Sequence, residues 1–301
     1  MWIWLGLISM LFLGVYDLSK KHALNGNAVL PVLFFSNLTS VCLMLPLLIG
    51  SRVAPEFLQG IGFYVAPMSL AWHGWMVVKA LIVGTSWICA YFALKHLPIS
   101  IVSPIRASGP VWTLAGAVLI FHEQPAPLQW LGMAIIFCCY FLFSVLGREE
   151  GITFHRSKWV GLILVATLVS TCSSLFDKWL LQSLGMGPLQ VLAWYFLYLC
   201  FFFSFITGLL WLPNRHKTTP FVWRRSIPMI GTFLVIADFV YFIGVSDPDA
   251  LIIIMSVLRR SSVLVSFFVG ALLFKEVNMR KKAWVLSGIL LGVLLIVLSG
   301  K

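Results

Sequence analysis

Two arginines inside apolar segments are the residues of this chain best suited to chemistry. Arg106 lies in an apolar run that ends at Glu123, and Arg259 lies in a second run that ends, at the same spacing, at Glu276. A guanidinium within hydrocarbon costs at least about 2.5 to 3.5 kcal/mol, so each arginine needs a counter-ion, water or a bound anion. Because arginine matches the planar geometry of carboxylates and phosphates, these positions predict a site for an anionic group.

Hydroxyl and aromatic side chains accompany the arginines. Ser108 follows Arg106 by less than one helical turn, and Trp87, Tyr91 and Tyr241 lie in neighbouring apolar segments. Aromatic faces favour a ligand with a flat or apolar body, although packing is the commoner role of aromatic residues within spans. An amino acid or a similar small organic anion fits both features.

Three aspartates lie in or near the ends of apolar segments. Asp17 and Asp177 follow an aromatic residue at matching places in the two halves of the chain. Each is either an interfacial acid paired with a neighbouring lysine or part of a polar pathway through the membrane. Asp238 differs from Arg259 in depth by about one helical turn, which predicts a buried ion pair or a protonatable coupling group. Glu123 and Glu276 are interpreted as structural groups at hairpin ends.

The segment around each arginine occurs twice in the chain. In both copies a Tyr-Phe pair closes one apolar segment, a proline-containing turn follows, and an arginine and a glutamate recur at a fixed spacing. Three further pairs of identical residues are separated by the same number of positions as Arg106 and Arg259. They are Ser108 with Ser261, Leu119 with Leu272 and Phe121 with Phe274. Such agreement predicts an internal duplication, with repeats over 1–150 and 151–301.

The composition requires a membrane. Hydrophobic residues make up 60% of the chain and charged residues 10%, with a mean hydropathy of +0.99, so too little polar surface exists to cover a soluble globule. Most basic residues behind the net charge of +11 flank apolar runs, which argues against nucleic acid as a partner. The six cysteines lack metal-ligand spacing and are expected to be apolar fillers. The first run, lacking a basic leader, is expected to be a retained span.

Ten apolar runs are long enough to cross a bilayer, which predicts an all-α integral membrane protein. Five spans per repeat would place the two halves in the membrane with opposite orientation, as in secondary transporters. The segment 51–73 is too short to span and is either interfacial or a lid. The expected spans are 2–19, 28–49, 75–95, 99–121, 127–147, 158–181, 188–212, 225–244, 250–274 and 282–299.

These motifs resemble the EamA-like branch of the drug/metabolite transporter superfamily. The resemblance rests on Tyr91-Phe92 through Pro98, on Pro110, and on Glu123 before Gln129 and Gly132; the second copy has Val263 in place of Pro110. It covers essentially the whole chain and implies a ten-helix inverted-repeat carrier in the plasma membrane, the inner membrane of a bacterium. The cavity residues that it implies are Asp17, Trp87, Tyr91, Arg106, Asp177, Asp238, Tyr241 and Arg259.

The charge distribution and the family resemblance predict opposite orientations of the chain in the membrane. Lys and Arg residues concentrate in the loops after odd-numbered spans, which places both termini outside the cytoplasm by the positive-inside rule. The resemblance implies cytoplasmic termini, so both orientations stay open.

The leading hypothesis is a secondary transporter of a small organic metabolite, driven by an ion gradient or by exchange, since no P-loop motif is present. The alternative is a carrier of an anionic lipid-linked substrate, and an intramembrane enzyme is a distant third. We expect no catalytic residue, no metal and no cofactor. The expected partners are the substrate and membrane lipids, with a homodimer through the featureless fifth or tenth span left open.

Overall fold

The structure is a computed structural model that describes residues 1–97, 105–106, 108–146, 157–262, 265 and 279–299. All regular elements among these residues are helices. Six helices in the described part are long and apolar enough to cross a membrane. The expected all-α membrane architecture is therefore confirmed.

The helices are numbered in chain order. Their bounds are α1 Trp2–Leu24, α2 Val29–Val53, α3 Pro55–Gly60, α4 Leu70–His96, α5 Gly109–Phe121, α6 Pro127–Leu146, α7 Lys158–Lys178, α8 Pro188–Ile206, α9 Ser226–Ser246, α10 Ile252–Arg260 and α11 Met279–Ser299. Two of them continue as π-helical turns, α7 through Trp179–Ser183 and α8 through Thr207–Trp211.

Eight expected spans contain a helix at about the expected bounds, and the other two are described only in part. Local interactions explain where several helices begin or end. Ser69 accepts a hydrogen bond from the Trp72 amide at the start of α4, and α8 begins at Pro188, where no amide donor is needed. His122 adopts the left-handed conformation that ends α5.

The fourth expected span is interrupted beside its arginine. Ile105 and Arg106 are helical, Ser108 lies in a turn, and α5 begins at Gly109. The Gly109 carbonyl accepts hydrogen bonds from Thr113 Oγ1 at 3.2 Å and from Thr171 Oγ1 at 3.3 Å. These hydroxyls place polar side chains next to the break, where irregular backbone in a membrane needs polar surroundings. Pro104 and Pro98 lie outside the described residues.

The ninth expected span is interrupted at the corresponding place. Helix α10 ends at Arg260, and Ser261 and Ser262 form a turn directly after the two arginines. The Ser261 amide donates to the carbonyls of Val257 and Leu258, which closes the last helical turn. Glu276, Phe274 and Leu272 lie outside the described residues.

Helix packing pairs elements from the two halves of the chain. Helix α1 packs on α9, α4 on α7, and α6 on α11. Helix α2 contacts α8 and α9, α8 contacts α4, and α10 contacts both α1 and α5. The core therefore lies between the halves rather than within either one.

Polar bonds join these helices, as expected where lipid gives little hydrophobic drive to association. Ser9 Oγ donates to the Ala237 carbonyl at 2.8 Å, which links α1 to α9. Ser86 Oγ donates to the Ala166 carbonyl at 2.8 Å, which links α4 to α7. Two of the three helix pairs named first above are thus joined by the same kind of bond.

The segment between α2 and α4 is a packed strap. Residues 63–69 have no regular secondary structure, and the Val65 side chain is fully buried. Ser51 Oγ accepts from the Val65 amide at 2.9 Å, and Gln190 Nε2 donates to the Ala66 and Pro67 carbonyls. Residues 63–69 therefore lie across the ends of α2 and α8.

Gly231 lies where α9 packs directly against the backbone of α2. A Cβ there would collide with the Ser36 carbonyl oxygen and lie 2.9 Å from Thr39 Cβ, so backbone must move. We expect Gly231→Ala to destabilise the protein by about 1 to 3 kcal/mol, measured by unfolding in detergent. The matched control is Gly74→Ala within α4, where nothing lies within 4 Å. An equal loss in both variants would contradict the packing argument.

Candidate functional site

A cavity of about 150 Å³ lies between the helices of the two halves. Its polar lining comes from α1, α4, α7, α8, α9, α10 and the interrupted fourth span. The hydroxyl and charged residues of this lining are Tyr16, Asp17, Lys79, Arg106, Ser170, Ser173, Ser174, Asp177, Tyr195, Asp238, Tyr241, Ser256, Arg259, Arg260 and Ser262. A second cavity of about 30 Å³ adjoins it and shares Tyr16, Trp87, Arg106, Ser170 and Arg260.

The charges of the main cavity are predominantly basic. Four basic side chains, Lys79, Arg106, Arg259 and Arg260, face three carboxylates, Asp17, Asp177 and Asp238. Arg106 forms no ion pair with any residue of the described ranges. A cavity with an excess of cations in a low-dielectric surrounding attracts an anion.

The predicted pair between Asp238 and Arg259 is confirmed. Arg259 Nη2 donates to Asp238 Oδ1 at 2.7 Å. Its Nη1 donates to Ser9 Oγ at 3.4 Å, and the guanidinium carbon lies 4.1 Å from the centre of the Tyr241 ring. Arg259 is therefore held on three sides.

Lys79 is a site residue that sequence reasoning missed. Its ammonium donates to Asp177 Oδ1, and both residues line the cavity. The lysine is 2% exposed and lies 4.7 Å above the Tyr195 ring and 5.2 Å from the Phe242 ring. A lone lysine near the start of an apolar span was the only available signal. Its partner is the distant Asp177 rather than a neighbouring residue.

Asp17 has the local partner that the sequence suggested. Lys20 Nζ donates to Asp17 Oδ1 at 2.6 Å, and Ser262 Oγ donates to Asp17 Oδ2 at 3.4 Å. Lys20 also lies 4.5 Å from the Tyr16 ring and 5.5 Å from the Tyr91 ring. Because Asp17 lines the cavity as well, the two interpretations of this aspartate are compatible.

Arg260 and Ser170 line the cavities together with Arg106. Arg260 Nη2 donates to Ser170 Oγ at 3.3 Å, and all three residues line both cavities. The two consecutive arginines point in different directions on the helix, since Arg259 contacts Asp238 and Arg260 contacts Ser170.

The predicted aromatic residues all reach a cavity. Trp87 lines both, Tyr91 lines the smaller and Tyr241 the larger. The faces of Tyr91 and Tyr241 contact the protein's own cations, Lys20 and Arg259. Tyr91 also shares a hydrogen bond of 3.2 Å with the Tyr16 hydroxyl.

Ser108 is the predicted site residue that lines neither cavity. Its hydroxyl donates to the Ile105 carbonyl at 2.7 Å, within the interruption of the fourth span. The expectation that Ser108 would extend the arginine site assumed a continuous helix. The hydroxyl instead bonds to the carbonyl three residues earlier, a local bond that serine commonly makes in and beside helices.

Glu123 is a buried structural group, in agreement with its interpretation as a hairpin-end residue. Its Oε1 accepts from Lys178 Nζ at 2.6 Å and from the Ile252 amide at 2.8 Å. Its Oε2 accepts from the Ile253 amide at 3.4 Å. A carboxylate there satisfies the first amides of α10 and complements its helix dipole.

Metal-binding groups are not assembled in the described ranges. These residues contain no cluster of three or more histidine, cysteine or acidic side chains that could hold a metal ion.

The first half of the chain has a recognisable relationship to known proteins. Residues 1–145 match the EamA-like transporter family. The resemblance drawn from the motifs is therefore confirmed over residues 1–145, a segment that contains Asp17, Lys79 and Arg106. Together with its apolar helices, the match identifies a multi-pass membrane protein related to transporters.

Curated relatives of the chain are similar over a shorter segment. Three are named "Probable 4-amino-4-deoxy-L-arabinose-phosphoundecaprenol flippase subunit ArnE", from Salmonella paratyphi B, Salmonella newport and Salmonella typhimurium. Each is 32% identical over 62 residues, which is 21% of this chain and 56% of the relative. The chain thus spans about half the length of these proteins.

A crystal structure of another protein shows the same fold. It superposes on 99% of this chain and 95% of its own, with a TM-score of 0.68 and 14% sequence identity. At that identity the likeness concerns the fold alone.

Glu123→Gln tests the structural assignment. The amide keeps the side-chain size but leaves Lys178 buried without a counter-ion, so we expect a loss of stability of about 3 to 5 kcal/mol. Thermal unfolding in detergent measures it. The control is Glu56→Gln, which changes an exposed glutamate and should leave stability unchanged. Unaltered stability of Glu123→Gln would contradict the assignment.

The two serines near the arginines provide a second test. Ser170→Ala removes a hydroxyl that lines both cavities, so we expect sulfate to bind about fivefold more weakly, equivalent to ~1 kcal/mol. Ser108→Ala should leave sulfate affinity unchanged because its hydroxyl is turned away. Calorimetric titration of both variants measures the difference, and the reverse order of effects would refute this description of the cavity.

Proposed function

We propose that the chain is a secondary transporter of a small organic anion or zwitterion, such as an amino acid, that binds in the cavity and is moved by alternating access. The observation that carries the proposal is Arg106. It lines both cavities without an ion-pair partner among described residues, beside three further basic groups. A guanidinium in such a place is suited to bind a carboxylate or phosphate.

The packing of the helices supports two inverted repeats of five spans each. If the chain is divided into 1–150 and 151–301, α1 corresponds to α7 and α4 corresponds to α9. The pairing of α1 with α9 then corresponds to the pairing of α7 with α4, and both are observed. Likewise α2 with α9 corresponds to α8 with α4. A pattern that maps onto itself is expected of duplicated halves.

The interruptions near Arg106 and after Arg260 support the same proposal. Discontinuous helices at corresponding places of two repeats are the usual position of transporter binding sites, because freed backbone groups and cavity water meet there. Alternating access would then consist of one half moving against the other around the arginines.

Coupling to an ion gradient is part of the proposal. Three cavity carboxylates, Asp17, Asp177 and Asp238, are able to take up a proton or a cation as their ion pairs rearrange. Asp238 is the most firmly held by its partner, since Arg259 is itself fixed by Ser9 and Tyr241.

A second candidate function is the movement of an anionic lipid-linked sugar. The observation that favours it is the similarity to proteins named as phosphoundecaprenol flippase subunits. The same basic cavity would bind the phosphate, and the cavity would then need a lateral opening for the polyprenyl chain.

A thermal-shift screen of detergent-purified protein tests both functions. The ligands are amino acids, organic acids, sugar phosphates and short-chain polyprenyl phosphates. A ligand at about 100 times its Kd stabilises the folded protein by ~2.7 kcal/mol. We expect a water-soluble anionic compound to raise the melting temperature, and stabilisation by polyprenyl phosphates alone would favour the second candidate.

Arg106→Ala is the decisive variant. It should abolish the ligand-induced shift, because the ligand's anionic group loses its principal partner, while the unliganded protein still folds. The control is Arg52→Ala, which removes an exposed arginine at the end of α2 and should preserve the shift. A shift that survives Arg106→Ala would overturn the proposal.

A further inference from the structure

Lys79 and Asp177 differ from the other deeply buried ion pairs in how few bonds hold them. Among described residues, Asp177 Oδ1 is the only hydrogen-bond acceptor of the Lys79 ammonium, and Lys79 is the only donor to Asp177. A lysine ammonium has three N–H donors and a carboxylate has about four acceptor sites. Most of the hydrogen-bonding capacity of this pair is therefore unused by the protein.

The pair formed by Glu123 and Lys178 shows the opposite arrangement. Glu123 accepts three hydrogen bonds, and Lys178 also donates to the Ala250 carbonyl at 3.2 Å. Neither residue lines a cavity. Such a saturated pair, remote from the cavities, is suited to a permanent structural contact.

The pair formed by Asp238 and Arg259 is intermediate. It lines the main cavity, but Arg259 is also bound to Ser9 and covered by the Tyr241 ring. Displacing Asp238 would leave these contacts in place. Lys79 has no comparable second hydrogen-bond acceptor among described residues.

The surroundings of Lys79 make its ammonium available to a ligand. The rings of Tyr195 and Phe242 contact it and provide weak cation–π stabilisation, which does not use its N–H groups directionally. Lys79, Asp177, Tyr195 and Phe242 all line the main cavity. An oxyanion in the cavity would thus meet a lysine whose only competing acceptor within the described ranges is one carboxylate.

We propose that Lys79 is an oxyanion-binding residue of the cavity and that Asp177 is its exchangeable counter-ion, displaced when the anionic group of the substrate binds. This inference deepens the proposed function and rests on it. It assigns Lys79 to the substrate site and Asp177 to competition with the substrate rather than to its direct binding.

The exchange includes a proton. In the empty cavity Asp177 is ionised and paired with Lys79. When the oxyanion takes its place, an ionised Asp177 would be left in a low-dielectric surrounding without its partner, which is costly. One proton from the bulk solution then binds to the carboxylate, an O–H bond forms, and no other bond changes. One anion and one proton are taken up together.

Other charged and titratable groups surround Asp177 and influence whether it is ionised or protonated. Helix α5 packs on α7, but it carries no charged or titratable side chain between Gly109 and Phe121. Those facing Asp177 from the other packed elements are Lys79 on α4, Tyr195 on α8, Asp238 and Tyr241 on α9, and Arg259 on α10. Asp238 disfavours a second nearby negative charge, which assists protonation of a displaced Asp177.

Sulfate is the probe for the test, since it is a small oxyanion that keeps its charge between about pH 5 and pH 8. Sulfate is titrated calorimetrically into the detergent-purified full chain at constant ionic strength, in buffers of different ionisation enthalpy. We expect uptake of about one proton per sulfate bound. The apparent Kd should weaken by up to about tenfold per pH unit as pH rises.

Variants of Lys79 and Asp177 test the roles of the two residues separately. Asp177→Asn removes the competing charge at nearly constant size, so sulfate should bind more tightly and without proton uptake. The double variant Lys79→Met/Asp177→Asn removes both charges, a change that buried pairs tolerate better than loss of one partner. It should fold and bind sulfate at least about tenfold more weakly. The matched control is Glu56→Gln, which changes an exposed carboxylate that lines neither cavity and should retain proton uptake.

The outcomes distinguish this inference from the proposed function. Sulfate affinity that is lost in Arg106→Ala but unchanged in the double variant overturns the role of Lys79 and leaves the anion cavity standing. Sulfate binding without proton uptake in the wild type, or proton uptake that persists in Asp177→Asn, overturns the exchange at Asp177. A wild-type protein that binds no sulfate at any pH contradicts both.

Discussion

The interior of this protein depends on the cost of holding a charge away from water. Within the described residues, four ion pairs place lysines and arginines against carboxylates inside the helix bundle. Two of the four join residues from different helices and a third joins Lys178 of α7 to Glu123 in the loop after α5, so charge compensation and tertiary structure are coupled. Changing either partner alone leaves an uncompensated charge, which is far more costly than losing both. The helices that line the cavity are therefore held together partly by the same groups that make it polar.

Backbone polarity imposes the same requirement on the helix interruptions. Polar side chains therefore lie beside irregular backbone in hydrocarbon, and two threonine hydroxyls bond to the Gly109 carbonyl at the start of α5. Because one of these hydroxyls belongs to Thr171 on α7, the interruption is tied to a helix from the other half of the chain. The irregular backbone near Arg106 is thus a supported feature of the bundle, and it gives the arginine access to the cavity.

Sequence reasoning found the features that depend on short separations. The pairing of Asp238 with Arg259 was predictable because a single turn separates their helices and fixes their relative depth. The pairing of Lys79 with Asp177 was not, since it requires the packing of α4 on α7, which no local pattern specifies. Ser108 was misplaced because serine can bond to a nearby backbone carbonyl instead of facing a cavity, and residue spacing does not decide between the two. Long apolar runs located the helices well because length and hydropathy alone decide whether a segment can span a membrane.

The contact between α6 and α11 has a mechanical consequence. A Cβ on Gly132 would lie 2.7 Å from the Gly292 carbonyl oxygen, and the reciprocal distance is also 2.7 Å. The two backbones therefore touch with no side chain between them, at a distance from the cavity and across the two halves of the chain. Side chains can change rotamer to accommodate sliding, whereas backbone in direct contact cannot. In the alternating-access motion proposed above, this contact is suited to act as a pivot, the fixed point about which the remaining helices would turn while the distances that surround the arginines change.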